Sequence, residues 1–151
     1  DAMNALSAQV ILIIVSSLAM GSALLQTGGA DYLAKLFVYV TFGAPPAIVL
    51  ASLMLLMGIL TNIVTNNAAA VIGTPIAIGI AQRLGLPLEP FVLAVVFGAN
   101  LSFVTPMAYQ THMLLMNAAG YKFNDFVRAG LPLALGLWLI LTAVLVWAYG
   151  L

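Results

Sequence analysis

No cysteine occurs in the chain, which excludes disulfides, thiol nucleophiles and cysteine-based metal centres. Charge is almost as scarce. Four Lys/Arg and four Asp/Glu make up 5% of 151 residues, where a soluble domain carries about a quarter. Eight charges cannot cover the surface of a water-soluble fold of this length. With 64% hydrophobic residues and a mean hydropathy of +1.19, most of the surface must face lipid, and the chain reads as an all-α integral membrane protein. The balanced charge gives no electrostatic footprint for a nucleic-acid partner. Asp1-Ala2-Met3-Asn4 has no basic region of the kind that opens a cleavable signal peptide. A start on Asp rather than Met predicts a piece of a longer protein.

What is present is a series of long apolar runs. A spanning helix needs about 20 apolar residues, and residues 6–25 supply one, with Ser16, Ser17 and Gly21 as small residues that let a neighbouring helix approach. Residues 31–41 carry Asp31, Lys35 and three aromatics, which predicts an interfacial segment. From Pro46 to Gln82 the chain has 37 uncharged residues. One straight helix of that length would reach about 55 Å, far beyond a hydrocarbon core of about 30 Å. The chain must fold back, and Thr61 to Asn67 is the polar place to do so. The arms, residues 46–60 and 68–82, would each be about 22 Å long, which suits a re-entrant hairpin over 46–82. Residues 91–119 read as one span broken in its middle, since Pro106 cannot continue the backbone ladder. Residues 129–151 form the final span. Lys35 and Arg83 fall on one face and Lys122 and Arg128 on the other, so the positive-inside count leaves orientation open.

Two polar islands interrupt these runs. The first lies in T-N-I-V-T-N-N-A-A-A-V-I-G-T-P, from Thr61 to Pro75; the second is Asn100 to His112. Each has a plain reading: a solvated loop for the first, a proline kink with Ser/Thr back-bonding for the second. Against this, unpaired backbone in lipid costs several kcal/mol per group, so irregular chain at depth must be buried in protein or line a wet cavity. Unwound helices expose carbonyls that can ligate Na⁺, and half-helix N-termini present a positive dipole end to anions. Asn and Thr add neutral oxygen ligands. His112, ionisable within the second island, is a candidate proton relay or a neutral hydrogen-bonding residue. A Ser102–His112 dyad is disfavoured, because there is no G-x-S-x-G and no third partner.

At these islands the sequence resembles the divalent anion/sodium symporter family, within the wider ion-transporter superfamily that includes citrate and arsenite permeases. That family carries a Ser-Asn-Thr motif at the tip of each of two re-entrant hairpins. Thr65-Asn66-Asn67 stands where the second belongs. Tyr109-Gln110-Thr111, after Pro106, stands where the family has a Thr-Pro-Pro-type motif, and F-N-D-F-V-R-A-G-L-P-L from Phe123 resembles its entry into the last helix. A-Y-Q-T is most similar to the bacterial branch whose full-length members carry extra soluble domains. The departures are Asn67 in place of Thr and Tyr109-Gln110-Thr111 in place of Thr-Pro-Pro.

The resemblance covers nearly the whole chain but only the second of two inverted repeats. It implies the C-terminal half of a secondary transporter that couples sodium to a divalent anion, a dicarboxylate or sulfate. It implies a Na⁺ site from oxygens of Thr61, Val64, Asn66, Ala108 and Gln110, with Val64 and Ala108 offering only backbone carbonyls. Thr65, Asn66, Asn67, Tyr109, Gln110 and Thr111 would face the substrate. The implied partners are the N-terminal repeat of the same protein, the lipid bilayer, of bacterial inner-membrane type, and a second copy in a homodimer. The competing expectation is an arsenite-type permease or channel-like anion pore without sodium coupling. An enzyme is not expected.

Overall fold

The computed structural model describes the backbone of residues 8–151, and the side chains of all of these except residues 8–14, 17, 18, 110 and 117. Residues 6 and 7 of the expected first span therefore lie outside the described residues. Among those described, all regular structure is helical: α1 (Ala8–Gln26), α2 (Gly29–Val40), α3 (Pro46–Ile63), α4 (Asn66–Leu84), α5 (Leu88–Ala99), α6 (Gln110–Ala119) and α7 (Phe123–Tyr149). Two of them, α3 and α7, are long and apolar enough to cross a membrane.

The helix ends differ from the sequence expectation in an informative way. α3 runs on to Ile63 and α4 begins at Asn66, so the arms are 18 and 19 residues long rather than 15. At 1.5 Å per residue they measure about 27 and 28 Å, close to the hydrocarbon thickness, and arm length no longer argues for re-entry. The polar residues stay helical because their side chains find carbonyls. Asn62 Nδ2 donates to Gly58 O one turn back at 2.7 Å. Only Val64 and Thr65 leave the helix, both in extended conformation. Thr65 caps α4, its hydroxyl accepting from the Ala68 N–H at 3.3 Å. α7 likewise starts at Phe123, six residues before the expected span, because the Asp125 carboxylate accepts from the Lys122 N–H at 2.8 Å and the Asp125 N–H returns to the Lys122 carbonyl at 3.0 Å.

α3, α4 and α5 form the core. α5 packs along both arms of the hairpin, more extensively than the arms pack on each other. Leu50, Leu53, Met54 and Met57 of α3 meet Ile76, Ala77 and Ile80 of α4 and Phe91, Ala94 and Val95 of α5, all buried. Lipid tails are as apolar as these side chains, so burial alone does not drive the association; close van der Waals contact does, and small residues permit it. A Cβ on Gly98 would lie 2.6 Å from the Met54 carbonyl oxygen and from Met57 Cβ, so the backbones of α3 and α5 nearly touch there. Gly73 of α4 faces Met57 and Val95 in the same way, which makes a three-helix joint.

α2 and α1 pack on the outer side of α4. Asp31 in the first turn of α2 pairs with Lys35 at 2.9 Å and with Arg83 at the end of α4. The Arg83 guanidinium, with Lys35 beside it, holds the exposed Asp31 carboxyl below the usual carboxylate range. α7 packs on α3 and α5, and Trp138 Nε1 donates to the Ala51 carbonyl of α3 at 2.9 Å. Its other faces, with Leu139, Ile140, Val144 and Trp147, are exposed, as suits a helix at a lipid boundary.

Candidate functional site

The hairpin tip meets the end of α5 and the irregular segment 100–109 that separates α5 from α6. Four polar residues make the junction. Thr61, fully buried in the last turn of α3, has its hydroxyl 2.7 Å from the Ala99 carbonyl at the end of α5 and 2.9 Å from Asn66 Oδ1 at the start of α4. A hydroxyl has one proton and cannot donate to both oxygens. With the proton on the shorter bond to Ala99, lone pairs of Thr61 Oγ1 and Asn66 Oδ1 face each other. Two arrangements relieve this: a carboxamide turned so that Nδ2–H donates to the hydroxyl, or a cation between the two oxygens.

Asn62 has no such ambiguity. Its Nδ2 donates to Gly58 O and, at 2.8 Å, to Leu101 O; its Oδ1 accepts from the N–H groups of Val104 at 3.0 Å and Thr105 at 3.1 Å. Turning this carboxamide over would set oxygen against carbonyls and N–H against N–H. The Thr105 hydroxyl returns a bond to the Asn62 carbonyl at 2.7 Å. Irregular backbone at 101–105 is thus satisfied by side chains from the hairpin, as burial of backbone polar groups requires. On its other side the segment leans on α7. Gly130 has no side chain, and the backbone of Phe103 and Val104 occupies the space a Cβ would need.

The expected site residues fall as follows. Thr61 and Asn66 are brought together. Val64 ends α3, half-buried, its N–H bonded to Leu60 O. Ala108 is buried, and its N–H lies 3.4 Å from the Thr105 carbonyl oxygen. Thr65 and Asn67 are exposed at the tip. Tyr109, half exposed, precedes α6, and Thr111 is exposed in its first turn. Gln110 is the first residue of α6, and its side chain lies outside the described residues. His112 Nδ1 lies 3.4 Å from the Thr105 carbonyl, and its ring packs 5.5 Å from that of Phe126 on α7. Asn62 and Thr105 are the two residues of the junction to which the sequence reading gives no role. Their only sequence signal is membership of the two charge-free polar islands.

The arrangement has a consistent electrostatic sense. α3 and α5 end at the junction with their negative dipole ends, and the last carbonyls of α5 already accept hydrogen bonds from Asn100, Leu101 and Thr61. α4 and α6 start, at Asn66 and Gln110, with positive ends and free N–H groups. Carbonyls and neutral side-chain oxygens suit a hard monovalent cation, and N–H groups at helix starts suit an anion. Among the described residues no His, Cys, Asp and Glu cluster could hold a transition metal.

Residues 1–150 match the citrate transporter family. The chain belongs to that family. It is 33% identical over 141 residues to an uncharacterized transporter of Synechocystis sp., covering 93% of this chain and 23% of that one. It is 31% identical over 122 residues to the uncharacterized transporter YfbS of Escherichia coli, covering 81% and 20%. Probable sodium/sulfate cotransporter 3 of Chlamydomonas reinhardtii is 28% identical over 152 residues, covering 99% and 16%. The chain thus spans about a fifth of the length of these relatives. Membership of the citrate transporter family makes the chain an integral membrane segment, and these relatives are named as transporters rather than enzymes, in keeping with the resemblance to the divalent anion/sodium symporters.

Proposed function

We propose that this chain is the C-terminal repeat of a secondary transporter that couples Na⁺ to movement of a divalent anion, a dicarboxylate or sulfate. The observation that carries the reading is the Thr61–Asn66 pair: two neutral oxygens 2.9 Å apart, with one hydroxyl proton already offered to Ala99 O. These oxygens fit a sodium ion, and the carbonyls of Val64 and Ala108 and the carboxamide of Gln110 complete the proposed ligand set. Bound there, the ion supplies the positive charge that neither island has, and so attracts the anion. Thr65, Asn66, Asn67, Tyr109, Gln110 and Thr111 receive the substrate at the starts of α4 and α6, where helix N–H groups favour negative charge. The missing part of the site comes from the N-terminal repeat of the same protein. The full-length protein works as a homodimer in a membrane of the bacterial inner type.

Uptake of labelled sulfate and of a labelled dicarboxylate by the full-length protein in liposomes tests this. Uptake of one of them is expected with external Na⁺ and not with choline in its place. Equal flux in both would instead favour an arsenite-type permease or a channel-like pore.

In the same reading α3 and α4 form a re-entrant hairpin with its tip inside the membrane. Single cysteines at Pro45 and Arg83 are expected to react with an impermeant thiol reagent from one face of the membrane. A cysteine at Asn67 is expected to react slowly from either face. Labelling at Asn67 as fast as at Pro45, but from the opposite face, would make α3 and α4 two complete spans.

A further inference from the structure

We propose that Asn62 is the residue that positions the two halves of the ion site. The proposal rests on the sodium-coupled reading above. The ligands in that reading come from two stretches of chain far apart in sequence: Thr61, Val64 and Asn66 at the hairpin tip, Ala108 and Gln110 after the break. The four described hydrogen bonds that tie residues 101–105 to the tip all run through Asn62, two of them from the backbone N–H groups of Val104 and Thr105. Its carboxamide makes two donor and two acceptor bonds, its full ordinary capacity, and so has none left for an ion. Asn62 is therefore not a ligand. It sets the separation and angle between stretches that carry ligands, from a position next to Thr61 and to a segment that ends three residues before Ala108.

The chemistry of the site is specific for asparagine. An aspartate keeps the acceptor for Val104 and Thr105 but turns a second oxygen toward the carbonyls of Gly58 and Leu101. A leucine keeps the volume and removes every bond. Glutamine adds a methylene that the fixed backbone on both sides cannot absorb. Thr105 makes the reciprocal bond through its hydroxyl, so Thr105→Val removes one link and leaves Asn62 intact.

The test uses the full-length protein in liposomes, with labelled-anion uptake measured against Na⁺ concentration. Asn62→Leu is expected to raise the Na⁺ concentration for half-maximal uptake by about tenfold or more, as loss of net hydrogen bonding would, while maximal uptake at saturating Na⁺ changes by less than about threefold. Thr105→Val is expected to shift it in the same direction by about threefold, and the double variant to be no worse than Asn62→Leu, because both act on one link. An unchanged Na⁺ dependence in both variants overturns the proposal. If Asn62→Leu does not fold, Thr105→Val decides by the same criterion. If wild-type uptake proves independent of Na⁺, the sodium reading fails, and hydrogen–deuterium exchange of the same proteins decides the role of Asn62. Exchange at Val104 and Thr105 about tenfold or more faster in Asn62→Leu supports positioning, and unchanged exchange overturns it.

Discussion

Asn66→Ala in the full-length protein is expected to abolish Na⁺-coupled anion uptake while expression and membrane insertion stay near wild type. Asn66 is half-buried at the first position of α4, with Oδ1 against the Thr61 hydroxyl. Alanine removes that oxygen and leaves the helix start in place, since the cap is the Thr65 hydroxyl. The loss should be about a hundredfold or more, at or beyond the upper end of what losing a residue that supports a bound ion costs. Asn66→Asp keeps an oxygen but adds a negative charge where the anion must approach, and it should fail as well. Ser16→Ala, on the exposed side of α1, is the mild comparison. Uptake of labelled sulfate and dicarboxylate, in Na⁺ and in choline, reads the result. Wild-type rate and Na⁺ affinity in Asn66→Ala would remove the tip from the site.

Gly130→Ala is expected to destabilise the protein by about 2–3 kcal/mol, the upper range for overpacking. Helix propensity pulls the other way, favouring alanine over glycine by about 1 kcal/mol inside a helix. The collision should win because the atoms it meets are backbone: the Phe103 carbonyl and Val104 Cα, themselves held by Asn62. A flexible side chain could move aside, whereas this segment cannot without breaking its hydrogen bonds. Gly136, on the same helix, has open space where a Cβ would go, so Gly136→Ala should be neutral or slightly stabilising. Thermal unfolding of the two purified full-length variants in detergent separates the cases. Equal midpoints would mean that α7 does not press on the break.

The helical, lipid-facing class was legible because scarcity of charge is a property of the whole chain, and no local ambiguity can hide it. Helix ends were less legible. Thr61, Asn62 and Ile63 look like a loop to any reading that treats polarity as a break, yet they are helical. The polarity of Thr61 and Asn62 serves the last carbonyl of α5 and the irregular backbone beyond it, and nothing within a few residues reveals that. Thr61 and Asn66 are five positions apart, and the motif between them brings both to notice. The partners of Asn62 outside α3 lie 39 to 43 positions away. Gly130 meets Phe103 across a whole helix and a turn. A lone glycine in a helical pattern signals close packing or nothing at all, and only the third dimension separates these.

The wedging of α5 between the arms of the hairpin has a consequence for biogenesis. Residues 88–99 leave the ribosome after both arms, so the joint of Met57, Gly73 and Val95 cannot close while the hairpin alone is in the bilayer. Until then the Thr61 hydroxyl lacks the Ala99 carbonyl, and the Asn62 carboxamide has only Gly58 O of its four final partners. The nascent hairpin must wait, with its tip either wet or in the care of the insertion machinery, for a later piece of chain to arrive and seal it.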